Sequence, residues 1–240
     1  MPNTILAITN NILRRLRESV VGTVEQTEQS MSIAIFVADI VSEVAEACDW
    51  PQYDHSETID IVEGTRSYEI PNTNVKSQVR FFEGQPIAFY IRPDQRPVQN
   101  DGYRLEFRNY NEYEQYIYTN ALTTRGQVYS VTIEPSASWD GMTLYPYPIP
   151  DESTDGGQII VGLNTPQLAL DPILDQNTII KGPIRPIMLG AYALANVEAG
   201  QELGEVGSII EDRYSMALAS AIEDAIELRA RGRQYDAYPA

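Results

Sequence analysis

The chain holds one histidine and one cysteine, and any imidazole or thiolate chemistry would have to start from them. His55 stands in Asp54-His55-Ser56-Glu57, where an imidazole, a hydroxyl and two carboxylates are close in sequence. A Ser-His-Asp set through Ser56 would need an elbow of the Gly-x-Ser-x-Gly kind, and there is none. His55 therefore reads as a loop residue after Pro51. Cys48 lies in an apolar helical pattern and reads as a small buried hydrophobe, not a nucleophile. One cysteine makes neither a disulfide nor a thiolate metal cluster. The phosphate-cradling and dinucleotide-binding glycine patterns are both absent.

Carboxylates are plentiful, with 34 acidic residues. The loop Asp151-Glu152-Ser153-Thr154-Asp155-Gly156-Gly157 could attract calcium or magnesium, but it departs from the twelve-residue EF-hand pattern and reads as a solvated hairpin loop. Glycoside hydrolysis needs only two carboxylates at the right separation. Among 34 acids such a pair carries no specificity. Asp39/Glu43 and Glu223/Glu227 read more simply as solvated helix faces. No catalytic residue, cofactor or metal is expected.

The formal charge is -17, from 34 acids against 17 bases. A field of that sign repels phosphate and acidic lipid at long range. Direct wrapping of duplex nucleic acid is not expected, because such binding is driven by phosphate neutralisation. An acidic wall that lets DNA slip past is compatible with the charge. Eight of the 15 tyrosines lie between Tyr103 and Tyr147, interleaved with Arg104, Arg108 and Arg125. Tyrosine with arginine is the mixture of protein contact surfaces, and Tyr110, Tyr113, Tyr116, Arg108 and Arg125 are the candidates. The competing reading buries these rings in a β core with hydroxyls at its rim.

The elements that must position these residues follow from the periodicity. Ile5, Ile8, Ile12 and Leu16 give a helical stripe over 4–18, with Arg14, Arg15 and Arg17 at its C-terminal end, where they favour the helix dipole. A second helix runs from about Glu25 or Thr27 to Cys48 and stops before Trp50-Pro51. From about 56 to 163 the period falls to two. Thr58–Ile61 and Ser67–Ile70 around Glu63-Gly64-Thr65-Arg66 predict a hairpin. Val75–Phe82 and Ile87–Ile91 predict a second, with Pro86 in its turn. Gln127–Glu134, Met142–Tyr145 and Gln158–Leu163 predict further strands. Arg108–Tyr118 reads as a turn or two of helix or as a tyrosine-rich loop. Helices return at 183–200 and at about 205–230. The tail 231–240 has no periodicity.

These elements predict an α+β fold. A helical bundle of the N- and C-terminal helices (1–52 and 178–231) carries an inserted antiparallel β domain (53–177, a sandwich or small barrel). A C-terminal arm follows at 232–240. The arm offers Arg231, Arg233, Tyr235 and Tyr238, read either as a frayed end or as a segment that orders on a partner. No run of 18 apolar residues exists, so no membrane span is expected. The start MPNTILAITNNILRRLRESV lacks the charge-then-apolar order of a signal peptide, and a chain folded in a cytoplasm is expected.

The order of features resembles a known family. A long helix ends in Cys48-Asp49-Trp50-Pro51, and ETIDIVEGTRSYEIP, RLEFRNYNEYEQY, QVYSVTIEP, GMTLYPYPIP and GGQIIVGLNTP follow. Two helices, PIRPIMLGAYALANVEAG and SIIEDRYSMALASAIEDA, close the chain. This is similar to the head-to-tail adaptors (connectors) of tailed bacteriophages, the group that includes podovirus tail tubular protein A. The resemblance spans nearly the whole chain and lies in the order of elements, not in a catalytic motif.

It implies a non-enzymatic virion protein at the head-tail junction, assembled in the bacterial host cytoplasm. Copies would form a ring, commonly of twelve, docked on the portal protein. Tail or nozzle proteins would attach below, and genomic double-stranded DNA would pass through the lumen without specific binding. In such proteins the Trp50-Pro51 corner would lock the helical domain onto the β domain. Arg14, Arg15, Arg17, Arg231, Arg233, Tyr235 and Tyr238 would be the portal-docking candidates, and removing 232–240 would abolish docking and leave the fold. Another virion component, such as a tail terminator or nozzle protein, is the alternative. A carboxylate-dependent glycoside hydrolase or sugar-binding module is the reading from a different class.

Overall fold

In the computed structural model the described residues are 3–82, 85–92, 103–119, 124–198 and 205–235; the described side chains exclude 81–82, 85–86, 116–119, 205–208 and 231–235. The fold is α+β, with N- and C-terminal helices and central, mainly antiparallel strands. The chain divides into a helical unit, 1–53 with 166–240, and a β unit, 54–165. The boundaries expected at 52/53 and 177/178 differ most on the second side. The segment 166–183 belongs to the helical unit, where Leu168, Leu170 and Ile173 pack against its core.

The helical unit begins with α1 (Ile5–Arg15), whose Thr4 side chain accepts from the amide of Ala7. Such a cap satisfies one of the free donors of the first turn. Helix α2 (Glu28–Ala47) opens with a reciprocal box in which Thr27 and Ser30 each accept the other's amide. Its buried face includes Ile33, Ala34, Val37, Ile40, Val41 and Val44. The remaining helices of this unit are α4 (Ile184–Glu198) and α5 (Glu205–Tyr235). The four helices share one core with Trp50 and Tyr53. Helix α5 runs five residues past its expected end, so residues 232–235 continue the helix, and residues 236–240 lie outside the described residues.

The β unit contains β1 (Asp54–Asp60), β2 (Tyr68–Ile70), β3 (Gln78–Val79), β4 (Phe81–Phe82), β5 (Gln85–Pro86), β6 (Ala88–Ile91), β7 (Tyr103–Arg104) and β8 (Glu106–Phe107). It continues with the helix α3 (Tyr110–Thr119), then β9 (Arg125–Gly126), β10 (Ser130–Pro135), β11 (Met142–Tyr147), β12 (Ile149–Pro150) and β13 (Gln158–Asn164). One sheet has the order β1-β13-β6-β7 with β3 also on β13, and another has β2-β11-β10-β8. Ile59, Ala88, Tyr90, Ile159 and Val161 of the first sheet and Ile70, Val131, Ile133 and Leu144 of the second enter one apolar core. Two sheets closing on one interior make a sandwich.

The strands expected to form the first hairpin separate. β1 pairs along its whole length with β13, from Asp54↔Asn164 to Asp60↔Gln158, and β2 pairs with β11. The Gly64 turn, at φ 74°, is present but carries the chain from one sheet to the other. Alternation fixes which face of a strand is buried and says nothing about its neighbour. The second expected hairpin is present over Phe81–Phe82 against Gln85–Pro86, extended by the Ile87 amide donating to the Arg80 carbonyl at 2.8 Å, with Pro86 in a strand instead of a turn. β6 beyond it pairs with β13 and β7.

Candidate functional site

His55 lies on β1 and not in a loop, which corrects the sequence reading. The partner strand β13 supplies the register, and sequence proximity to Pro51 masked it. Its Nε2 is 3.5 Å from Glu57 Oε1, two residues on and so on the same strand face. Ser56 points to the opposite face by the same alternation. Asp54 is engaged elsewhere: its carboxylate meets Arg80 Nε at 3.1 Å and accepts from Asn164 Nδ2 at 2.7 Å. The three residue types of a triad are thus adjacent in sequence and separated in space.

Cys48 caps the end of α2 and is half-buried. Burial pushes its thiol up from the ordinary value and Asp49 adds to this, outweighing Arg229. That is the opposite of an activated nucleophile. In the 151–157 loop the carboxylates serve the loop itself. Asp151 Oδ1 accepts from the Ser153 amide and hydroxyl at 3.0 and 2.6 Å, and Asp155 Oδ1 accepts from the Glu63 amide at 3.0 Å. Among the described residues no three His, Cys, Asp or Glu side chains gather as metal ligands, and no helix is long and apolar enough to cross a membrane.

The tyrosines divide into buried and exposed rings. Tyr113 on α3 is buried and Tyr110 is exposed, and with Tyr145 they form a three-ring cluster at 5.5–6.2 Å between centroids. Burial, then the two neighbouring phenols, push Tyr113 up to about 12. Tyr90 and Tyr147 are buried too, and the Tyr103 hydroxyl donates to the Val128 carbonyl. Arg108 lies over the Tyr129 ring at 5.9 Å and beside Glu106 at 3.5 Å. Arg125 meets Glu63 at 3.3 Å on an exposed surface. The Tyr116 side chain lies outside the described residues.

Trp50 is 1% exposed and sits in the core of the helical unit itself, with Pro51 opening a short 3-10 turn, Pro51–Tyr53. Arg14 and Arg15 occupy the last turn of α1, and Arg17, at φ 64°, follows the helix end. Arg15 stands 5.5 Å over the Tyr192 ring. It also borders a groove of about 460 Å³ with Arg185 of α4 and Arg213 of α5, over a floor that includes Met188, Leu189 and Met216. Arg231, Arg233 and Tyr235 fall on the last turns of α5 with side chains outside the described set, and Tyr238 lies outside the described residues.

Two features escaped the sequence. Arg185 and Arg213 are far from Arg15 along the chain, and only helix packing unites them. Trp139 is 72% exposed, at φ 60°, in the turn between β10 and β11. Around it Asp140 Oδ1 accepts from the hydroxyls of Ser136 and Ser138 at 2.8 and 2.5 Å. A large ring held out in an uncommon backbone region was marked in the sequence only by the SWDG string.

No protein-family model matches the chain, and comparison with curated proteins finds no match.

Proposed function

We propose that this chain is a structural adaptor of a tailed-phage virion, without catalysis of its own, that forms a ring between portal and tail and surrounds the DNA channel. The observation that carries the reading is the set of large apolar side chains left exposed on the two C-terminal helices of the helical unit. Beyond the residues that build the core, Ile209, Met216, Ile226 and Leu228 of α5 and Leu194 and Val197 of α4 are 38–72% exposed. Large apolar side chains left in solvent on two packed helices suit a surface that a neighbouring subunit covers. A subunit that is buried between copies needs such a surface.

The order of elements, a terminal-helix unit carrying an inserted β-sandwich, supports the same reading through the family resemblance. The net charge of -17 supports a lumen that repels DNA and leaves it mobile. Localisation at the head-tail junction and docking on portal and tail proteins belong to this proposal.

Native mass spectrometry of the protein, alone and mixed with the portal protein of the same genome, tests it. A portal-bound complex with many copies in fixed ratio to portal is expected. A protein that ignores the portal at every ratio would overturn the adaptor position.

A further inference from the structure

The groove between α1, α4 and α5 is basic on an acidic protein. Three of the 17 basic residues, Arg15, Arg185 and Arg213, surround it, and all three are exposed. Among the described residues none of these guanidiniums has a carboxylate partner; Arg15 has only the Tyr192 ring beneath it. Met216, on the floor, is 72% exposed. Apolar floor and unpaired arginines together call for an occupant that is both acidic and apolar.

The chain supplies such an occupant. Further along α5, Glu223 with Ile226 and Asp224 with Leu228 form two exposed acid-aliphatic pairs on adjoining sides of the helix, the aliphatic residues 59% and 53% exposed. The same helix thus carries an arginine-and-methionine groove in one half and an acid-and-aliphatic ridge in the other. One continuous helix cannot fold its second half back onto its first, so the ridge cannot fill its own groove.

We propose that the groove receives the 223–228 ridge of a second copy of this chain. Reciprocal exchange of groove and ridge about a two-fold would close a dimer; the ring reading requires the one-way, heterologous form. Repetition of such a contact closes a ring when the rotation permits and otherwise gives an open filament. This deepens the ring reading above and rests on it for closure; the pairing itself stands on the charge and shape of α5.

Charge reversal of the full chain tests it. Arg185→Glu with Arg213→Glu reverses the groove, and Glu223→Arg with Asp224→Arg reverses the ridge. All four residues are exposed, so both variants should keep the wild-type circular dichroism and Tm. Sedimentation should show that each variant alone self-associates roughly 100-fold more weakly than wild type or worse. An equimolar mixture should recover association, because each groove then meets a ridge of opposite sign. A milder variant, Met216→Ser, should weaken association without reversing charge and serves if either double variant misfolds. Self-association of the reversed variants at wild-type strength overturns the pairing. So does failure of the mixture to recover, or a wild-type chain that is monomeric at millimolar concentration. A groove variant that still self-associates but loses the portal overturns it as well, and leaves the adaptor reading standing.

Discussion

The indole Nε1–H of Trp50 donates to the backbone carbonyl of Val44 at 2.6 Å, six residues back along the chain. Val44 lies in the last turn of α2, where carbonyls run out of helical donors. Trp50 therefore closes the helix with a side chain while filling the core, and Pro51 prevents continuation. Arg229 Nε donates to the Asp49 carbonyl at 2.7 Å and ties α5 to the same corner.

Trp50→Phe keeps most of the volume and removes the donor. It should cost about 1–3 kcal/mol, from a buried acceptor left unmatched. Trp50→Ala should cost about 3–5 kcal/mol, because a cavity is added. Urea unfolding of both variants measures this. A Trp50→Phe variant as stable as wild type would show that the hydrogen bond contributes nothing beyond packing.

Gly190 on α4 tests the helix packing. A Cβ there would sit 3.0 Å from Ile40 Cγ2 of α2 and 3.1 Å from the Tyr214 ring of α5. Gly190→Ala gains about 1 kcal/mol of helix propensity and strains two neighbours, so a change near zero is expected. Gly190→Leu should destabilise by about 1–3 kcal/mol through overpacking. Thermal unfolding reads both, and a Leu variant as stable as wild type would mean that the three helices separate readily at this point.

Alkaline pH should loosen both units. Burial pushes Tyr53 up to about 12, and burial with two phenol neighbours does the same for Tyr113. Burial first, then the hydrogen bond to Glu43, raises Tyr214. In the unfolded chain these phenols ionise near 10. The folded state holds them neutral, so their contribution is complete below pH about 10 and is lost as pH rises through about 12. Tyrosinate absorbance followed beside circular dichroism should show a late group of phenols ionising together with loss of structure. All tyrosines titrating near 10 in a folded chain would contradict this.

Trp139 should be dispensable for folding and needed for a partner. Its backbone, at φ 60°, suits glycine better than tryptophan. Trp139→Gly should leave stability unchanged or raise it by up to about 1 kcal/mol. Under the adaptor reading it should weaken binding to the tail protein of the same genome at least tenfold, as loss of an aromatic anchor does. Unchanged binding in a titration calorimeter would remove Trp139 from the contact.

The sequence by itself determined the helices, the change of period between the two kinds of structure, and the α+β plan. Those features are local: a 3.6-residue stripe such as Ile33–Val44, a stop at Trp50-Pro51, alternation such as Thr58–Ile61. It also fixed the supply of imidazole and thiol, since one histidine and one cysteine are matters of composition. Only the tertiary structure decided which strands are neighbours, because β1 alternates identically whether it faces β2 or β13. It alone placed His55 in a strand, divided the tyrosines into the buried Tyr113 and the exposed Tyr110, and drew Arg15, Arg185 and Arg213 around one groove. Those outcomes depend on contacts between residues distant in the chain, and such contacts leave no period for a sequence to display.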